Sequence, residues 1–189
     1  MNAYQVEYLL PQEIAAAYRN AECLYSEREV DLALSQMAVE IQRELAGSNP
    51  LILCVMNGAL LTTAQLAIRL SIPLQLDYLH VSRYQGATRG GEVQWHSEPR
   101  TPLTARKILI VDDILDEGYT LKAIQEYCHS QGAEQVMSAV LVQKRHARKH
   151  PQIDADFVGL MVDDHYVFGY GMDYKDHLRN LPGIYALRE

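Results

Sequence analysis

The sequence of 189 residues lacks several features that mark whole classes of protein. It has no run of about 18 apolar residues, so no segment is predicted to cross a membrane. Its N-terminus has no basic region followed by an apolar stretch, so we expect no secretory signal. Only 3 cysteines occur, without Cys-x-x-Cys spacing, and we expect Cys23, Cys54 and Cys128 to be buried or inert thiols. These absences favour a cytoplasmic protein.

Positive charge is also scarce, since 17 Lys and Arg face 24 Asp and Glu, for a net charge of −7. Proteins that bind nucleic acid usually carry a basic surface, so we expect no nucleic-acid partner. The sequence contains no repeat, no low-complexity tract and no long linker. Domains typically need about 150 residues, so residues 1–189 are predicted to form a single domain.

Helical and strand patterns alternate along the chain. Ser26 and Glu29 form a capping box before apolar residues that recur at helical spacing as far as Leu45. Gly132 is expected to end a later helix. Buried strands are predicted over 51–56, 107–111, 136–142, 157–160 and 166–170, and further helices over 59–70 and 120–130. This alternation predicts an α/β fold with a mostly parallel sheet.

Two segments between these elements lack both a helical pattern and a continuous apolar run. Leu74, Leu76 and Tyr78 alternate with polar residues, which predicts a half-buried strand with these three side chains on its apolar face. Residues 84–91 contain three glycines and no apolar periodicity, so we expect a mobile loop there.

The stretch over 108–120 is the most informative, and it reads ILIVDDILDEGYT. Ligands of parallel α/β sheets bind at the carboxyl ends of the strands, which directs attention to Asp112 and Asp113. Two adjacent ionised carboxylates repel each other and need a cation or hydroxyl donors nearby. The turn that follows presents backbone N–H groups at a helix N-terminus, which suits a phosphate monoester. Gly118 permits close backbone approach there, and Thr120 supplies a hydroxyl.

Two other interpretations of this stretch are available. A strand that ends in solvated acids before a capped helix would need no ligand at all. An apolar strand ending in Asp-Asp also opens receiver domains of response regulators, with Asp154 or Asp156 as the later aspartate. Only 33 residues follow Asp156, however, which is too few for the rest of such a domain.

Taken whole, the stretch resembles the phosphoribosyl-diphosphate (PRPP) motif of type I phosphoribosyltransferases, and the chain from residue 51 onward is similar to the hypoxanthine-guanine members. The resemblance implies a twisted, mostly parallel sheet flanked by helices, with a core over about 26–160. It also implies a small hood formed by 1–25 and 161–189. Asp112 and Asp113 would hold the ribose hydroxyls, partly through Mg²⁺, and Asp116 would be the general base near N7 of the purine.

The same resemblance assigns the phosphate and pyrophosphate sites. The 5′-phosphate would lie on the turn formed by Asp116, Glu117, Gly118, Tyr119 and Thr120. Family members usually have a small hydroxyl residue where this chain has Glu117, so this carboxylate must point outward and leave only its N–H in the turn. The pyrophosphate would be bound by Asn57, Gly58 and Arg179, although many members have lysine at the position of Asn57.

The purine would lie against the C-terminal segment VFGYGMDY and the strand end at 144. Tyr166 would stack on the base, and main-chain groups of Val167 and Asp173 would meet its exocyclic position. Asp173 would also be a metal ligand beside Asp112 and Asp113. Lys144 matches the lysine that family members place at the 6-position, and an ammonium pairs with a 6-oxo group but opposes the amino group of adenine.

The remaining basic residues around Lys144 are expected to form a solvated loop. His146 and His150 have i,i+4 spacing, but the polar loop and Pro151 argue against a metal site. A flexible catalytic loop would begin at Arg83 and Tyr84, with Arg83 where many members have serine. Its closure would exclude water from the reaction.

The implied reaction is purine salvage: transfer of 5-phosphoribosyl from PRPP to N9 of hypoxanthine or guanine, giving IMP or GMP and pyrophosphate. One alternative is an enzyme that prefers xanthine, and another is a PRPP-sensing regulator with the same fold. Retention of Asp116 with the acid pair favours an enzyme. The resemblance also implies a homodimer or homotetramer.

Overall fold

The computed structural model describes residues 11–83 and 93–188. Its helices are α1 (Gln12–Asn20), α2 (Glu27–Leu45), α3 (Leu60–Arg69) and α4 (Tyr119–Ser130). Its strands are β1 (Ala21–Tyr25), β2 (Leu51–Met56), β3 (Gln75–Arg83), β4 (Val93–Ser97), β5 (Lys107–Leu115), β6 (Gln135–Arg145), β7 (Phe157–Asp163), β8 (Val167–Phe168) and β9 (Ile184–Leu187). No helix in these ranges is both long and apolar enough to cross a membrane.

The larger of two sheets has the strand order β4-β3-β2-β5-β6-β7. Its pairings are parallel except at the edge, where β4 runs antiparallel to β3. Strand β5 lies between β2 and β6, and residues 108–111 are fully buried. A strand that is covered on both faces reads as a continuous apolar run, which explains its sequence. The predicted α/β fold with a mostly parallel sheet is confirmed.

The capping box at the start of α2 forms as the sequence predicts. The backbone N–H of Ser26 donates to the Glu29 carboxylate at 2.8 Å, and α2 begins at the next residue. At the end of α4, Gly132 has a φ of +80° and its N–H donates to the carbonyl of His129 at 3.0 Å. A left-handed residue just past a helix end is where glycine is favoured.

The strand over 107–111 is longer than predicted. It continues to Leu115, and Asp112 pairs in register with Val140 of β6, as Leu115 does with Gln143. The two acids therefore lie within the ladder, and only residues 116–118 separate the strand from α4. Carboxylates inside a strand are held more rigidly than carboxylates on a turn, because the ladder hydrogen bonds fix their backbone.

The face assignment for β3 was wrong, although the strand itself is confirmed. Leu76 and Tyr78 are 54% and 44% exposed, whereas the carboxylate of Asp77 accepts backbone N–H bonds from Arg100 and Thr101 at 2.8 and 2.7 Å. The segment over 100–101 covers the face that carries Asp77. Successive side chains of a strand point to opposite faces, so alternation predicts a strand but does not show which of its two faces the rest of the chain covers.

The smaller sheet joins the two ends of the described chain in the order β1-β9-β8. Both pairings are antiparallel, with Cys23 opposite Tyr185 and Val167 opposite Ala186. The strand predicted over 166–170 is only two residues long, because Gly169 and Tyr170 have φ values of +94° and +49° and turn the chain. A separate small core of Ile14, Phe168, Leu178 and Leu181 supports this sheet.

Two of the three thiols are buried, and the pKa values of all three are raised. Cys54 and Cys128 are buried, and burial raises the pKa of Cys128 to about 11. Cys23 is exposed, but partial burial and the nearby Glu29 carboxylate raise its pKa as well. The thiolate is the reactive form, so these shifts favour inert cysteines.

Candidate active site

Two adjacent carboxylates lie near the carboxyl end of the central strand β5. Asp112 is 8% exposed, and its Oδ1 accepts the backbone N–H of Asp113 at 2.9 Å. Burial, followed by repulsion from Asp113, raises the pKa of Asp112 well above its usual range. Burial also raises the pKa of Asp113, although the Arg179 guanidinium partly opposes this.

A glycine from the neighbouring strand packs directly on the second acid. β2 ends at Met56, a cis peptide bond joins Met56 to Asn57, and Gly58 follows. A Cβ atom on Gly58 would lie 1.8 Å from Oδ2 of Asp113, a distance that real Cβ contacts do not show. The absence of a side chain at Gly58 is therefore a condition for the two strand ends to meet.

The turn between β5 and α4 presents backbone N–H groups at the start of the helix. Gly118 has a φ of +89°, which favours glycine, and its carbonyl accepts the N–H of Lys122 as the helix begins. The N–H groups of a first helical turn have no partner within the helix, and they attract anions. Glu117 lies 3.6 Å from the Arg148 guanidinium, which compensates its charge beside this turn.

Asp116 is contacted by two side chains from the end of β6. Nζ of Lys144 lies 3.1 Å from Oδ2, and Nε2 of His146 lies 2.6 Å from Oδ1. Burial would raise the pKa of Asp116, but the hydrogen bonds from Lys144 and His146, together with the Lys144 charge, outweigh it, and the pKa is lowered. The carboxylate is therefore ionised at neutral pH and is held at both oxygens.

The segment after β8 folds back as a compact ion-paired loop. The Arg179 guanidinium donates to the Asp173 carboxylate and to the Gly171 carbonyl, both at 2.7 Å. The Tyr166 hydroxyl donates to the Asp173 carbonyl at 3.2 Å, while its side chain stays 51% exposed. The loop thus presents an accessible aromatic ring and a fixed arginine on one side.

A cavity of about 710 Å³ opens at the carboxyl ends of β2, β3 and β5. The predicted site residues that line it are Asn57, Gly58, Asp112, Asp113, Asp116, Gly118, Thr120, Tyr166, Asp173 and Arg179. These residues come from three separate stretches of the chain, over 57–58, 112–120 and 166–179. Their convergence on one cavity is the main structural outcome for the predicted site.

Four predicted residues whose side chains the structure describes do not line this cavity. Lys144 contacts Asp116, which does line it, and Val167 is buried. Glu117 faces Arg148, and the Tyr119 ring lies edge-on to His150 with centroids 5.6 Å apart. For Glu117 and Tyr119 the prediction concerned backbone N–H groups, which do not require the side chains to face the cavity.

The predicted flexible loop is not covered by the structure. Arg83 ends β3, and Tyr84 lies outside the described residues. Two residues just before this point, His80 and Ser82, line the cavity, and the sequence analysis did not single them out as site residues. The signal that could have found them is their position at the carboxyl end of a predicted parallel strand.

His146, considered in the sequence only as a possible metal ligand, is not solvated. Its side chain is 4% exposed and contacts Asp116. Arg148 is 55% exposed but donates to the Asp164 carboxylate at 2.6 and 2.9 Å, and Lys149 pairs with Asp154 at 3.0 Å. The loop is therefore braced by ion pairs.

Asp116, His146 and Asp164 bring possible metal-ligand atoms within 4.8 Å of one another, the one such group of three among the described residues. Their carboxylates already bind the Lys144 and Arg148 cations, however. A metal ion would have to displace both cations, so we interpret this group as a hydrogen-bonded cluster. Asp173 is paired with Arg179, and its role as a metal ligand beside Asp112 and Asp113 stays a prediction.

The fold and cavity define an α/β protein with an acidic site at the carboxyl edge of a parallel sheet. Residues 21–177 match the family model of the phosphoribosyl transferase domain. The chain is 36% identical to the hypoxanthine-guanine phosphoribosyltransferase of Bacillus subtilis over 166 residues, which is 87% of this chain and 92% of the relative. This chain belongs to the phosphoribosyltransferase family.

Solved structures agree with this assignment. A hypoxanthine phosphoribosyltransferase from Staphylococcus aureus superposes with a TM-score of 0.85 at 28% identity, covering 92% of this chain and 95% of that one. A hypoxanthine phosphoribosyl transferase of Trypanosoma cruzi, studied for the role of its C-terminal region in oligomeric state and activity, has a TM-score of 0.82 at 27% identity. The superposition covers 88% of this chain and 91% of the Trypanosoma cruzi chain.

Proposed function

We propose that this protein transfers the 5-phosphoribosyl group of PRPP to N9 of hypoxanthine or guanine, releasing pyrophosphate. The observation that carries the proposal is the single cavity shared by the β5 acids, Asp116, Tyr166 and Arg179. The cavity offers carboxylate acceptors for ribose hydroxyls, backbone N–H donors for a phosphate and an aromatic face for a base. The hypoxanthine-guanine relatives support the choice of acceptor.

PRPP would be bound along the strand ends. In the proposal, Asp112 and Asp113 hold the ribose hydroxyls, and the backbone N–H groups over 116–120 hold the 5′-phosphate at the start of α4. Asn57, Gly58 and Arg179 bind the pyrophosphate. Arg179 is held in place by two contacts, so little side-chain entropy is lost when it meets the ligand.

The acid pair fits Mg²⁺. Hard divalent cations prefer carboxylate oxygens, and both Asp112 and Asp113 have raised pKa values because they are buried close together. A cation there would offset the burial of both carboxylates and the repulsion that Asp113 exerts on Asp112. When bound, Mg²⁺ would supply positive charge near the departing pyrophosphate.

The purine would lie between the smaller sheet and the end of β6. We propose that the smaller sheet is the hood, with the exposed Tyr166 ring stacked on the base and main-chain groups of Val167 and Asp173 at its edge. A base stacked on an aromatic side chain gains about 1–3 kcal/mol. Lys144 would use one of its three N–H donors on Asp116 and another on the 6-oxo group.

Asp116 would stabilise the transition state as a charged acceptor. The bond from ribose C1 to the pyrophosphate oxygen breaks as N9 attacks C1, and the N7 proton of the purine passes to the Asp116 carboxylate, so the nucleotide leaves without it. The lowered pKa of Asp116 keeps this group ionised when the base arrives. A fixed negative charge on Asp116 also stabilises the positive charge that develops on the oxocarbenium-like ribose.

The test is to incubate the protein with PRPP, Mg²⁺ and hypoxanthine, guanine, xanthine or adenine, and to measure nucleotide formation. We expect turnover with hypoxanthine or guanine and little with adenine. Lys144→Met should reduce this discrimination, since a buried donor no longer opposes the amino group. Faster turnover with xanthine would change the acceptor, and PRPP binding without any turnover would favour a regulator.

We also propose a homodimer formed through the outer side of β3 and the start of α3. Leu60, Leu76 and Tyr78 are 51%, 54% and 44% exposed and line one apolar groove. Exposed apolar patches of this kind commonly mark protein interfaces. Sedimentation of the wild type and of Leu76→Asp tests this, and an unchanged oligomeric state would place any interface elsewhere.

A further inference from the structure

The carboxylate of Asp116 has a second partner besides Lys144. Nε2 of His146 lies 2.6 Å from Oδ1, while Lys144 contacts Oδ2. The His146 side chain is 4% exposed, compared with 31% for Asp116. The imidazole is thus the buried member of the pair and the carboxylate is the member that faces the cavity.

The other ring nitrogen defines the tautomer of His146. The backbone N–H of Arg148 donates to Nδ1 of His146 at 3.1 Å, so Nδ1 acts as an acceptor and carries no proton. The proton of the neutral ring then lies on Nε2, where it is donated to Asp116. This arrangement does not require a charged imidazolium.

The loop that carries His146 is itself anchored. β6 ends at Arg145, and Lys144 and His146 lie two residues apart, so both approach Asp116 from the same side of the strand. Two residues further on, Arg148 forms paired hydrogen bonds with Asp164 and an ion pair with Glu117. The donor from His146 therefore comes from a fixed position.

We propose that His146 is a positioning residue that orients the Asp116 carboxylate toward the purine. This inference rests on the proposed function, and it concerns a residue that makes no contact with substrate. With Oδ1 held by His146, the carboxylate plane is fixed and a lone pair remains for N7–H. Without His146, Asp116 rotates toward Lys144 and draws the ammonium away from the 6-oxo group.

The first test compares His146→Leu with His146→Gln, and with His129→Leu as a matched control on the exposed end of α4. His146→Leu should lower kcat about 10-fold or more, because a hydrogen bond to a charged group is lost. The KM for PRPP should stay within about twofold of the wild-type value. Glutamine offers an N–H donor at a similar reach and should recover most of kcat, while His129→Leu should behave like wild type.

A double-mutant cycle shows whether His146 acts through Asp116. In an Asp116→Ala background, adding His146→Leu should change kcat by less than about twofold, because the shared interaction is already gone. Equal losses in both backgrounds would overturn the proposal. A wild-type kcat in His146→Leu would overturn it as well.

Nitrogen NMR of the imidazole separates this inference from the proposed function, because it needs no substrate. Wild-type His146 should show a protonated Nε2 and an unprotonated Nδ1, and Asp116→Ala should shift the Nε2 resonance. A protonated Nδ1, or no shift, would overturn the contact on which the inference depends. An inactive wild-type protein with these signals intact would instead refute the function, and with it a role for His146 in turnover.

Discussion

The contact between Gly58 and Asp113 makes Gly58→Ala a severe change for its size. The new Cβ would lie 1.8 Å from Oδ2 and 2.4 Å from Cγ of Asp113, whereas Cβ atoms in proteins essentially never come within 3.0 Å of such atoms. One group must therefore move by at least about 1 Å. The loop has little room to retreat, because the Gly58 carbonyl already packs on Gly171, where a Cβ would lie 1.9 Å from it.

A displacement of about 1 Å at a reacting centre costs roughly 100-fold in rate, so kcat/KM for PRPP should fall by about that factor in Gly58→Ala. The assay measures initial rates at saturating hypoxanthine with varied PRPP and Mg²⁺, alongside thermal unfolding. Gly47→Ala is the control, because no atom lies within 4 Å of its Cβ although its φ is +75°. It should lose some stability and no activity. A kcat/KM of Gly58→Ala within about twofold of wild type would refute the close packing of the two strand ends.

Three further changes test other parts of the site and the core. Asp116→Asn should lower kcat about 100-fold or more while leaving the dissociation constant of PRPP nearly unchanged, and an unchanged kcat would remove Asp116 from the mechanism. Asp112→Asn should raise the Tm of the ligand-free protein at pH 7 while weakening PRPP binding. The raised pKa of Asp112 means that the charged carboxylate destabilises the folded state at pH 7. The stability advantage of Asp112→Asn should therefore shrink as the pH falls below the pKa of Asp112 in the folded state. A lower Tm for Asp112→Asn than for the wild type at pH 7 would contradict this reasoning. Gly159→Ala places a Cβ 2.8 Å from the Leu141 carbonyl, so unfolding should become easier by about 1–3 kcal/mol in chemical denaturation with kcat unchanged.

Local chemistry explains why much of this protein is predictable from sequence. Four apolar residues that run into Asp112 and Asp113 predict a buried strand with acids at its end, and the capping box at Ser26 predicts the start of α2. Gly118 and Gly132 adopt the positive φ values that turns next to helices require. Each of these signals depends on neighbours in sequence, so the chain carries them before it folds.

The surroundings of Asp116 depend instead on strand pairing. Lys144 and His146 are 28 and 30 residues away in sequence. They reach Asp116 because β5 and β6 are parallel neighbours with Leu115 opposite Gln143, which sets the next residues of both strands side by side. A one-residue slip would turn Lys144 away, and no local pattern specifies this register.

The same distinction applies to β3. Its alternation predicts a strand, but the covering segment over 100–101 makes Asp77 the hydrogen-bonded residue and leaves Leu76 and Tyr78 exposed. Which face of a strand is buried depends on what packs against it from elsewhere in the chain.

Sequence thus establishes the elements, the acid-ended central strand and, through resemblance, the family and its expected site. Tertiary structure alone decides that Gly58 touches Asp113, that Arg148 compensates Glu117, and that His146, which no local pattern connects with Asp116, contacts its carboxylate. The physical reason is the range of the forces involved. Propensity, capping and periodicity act over a few residues, whereas contacts and pKa values depend on atoms that only folding brings together.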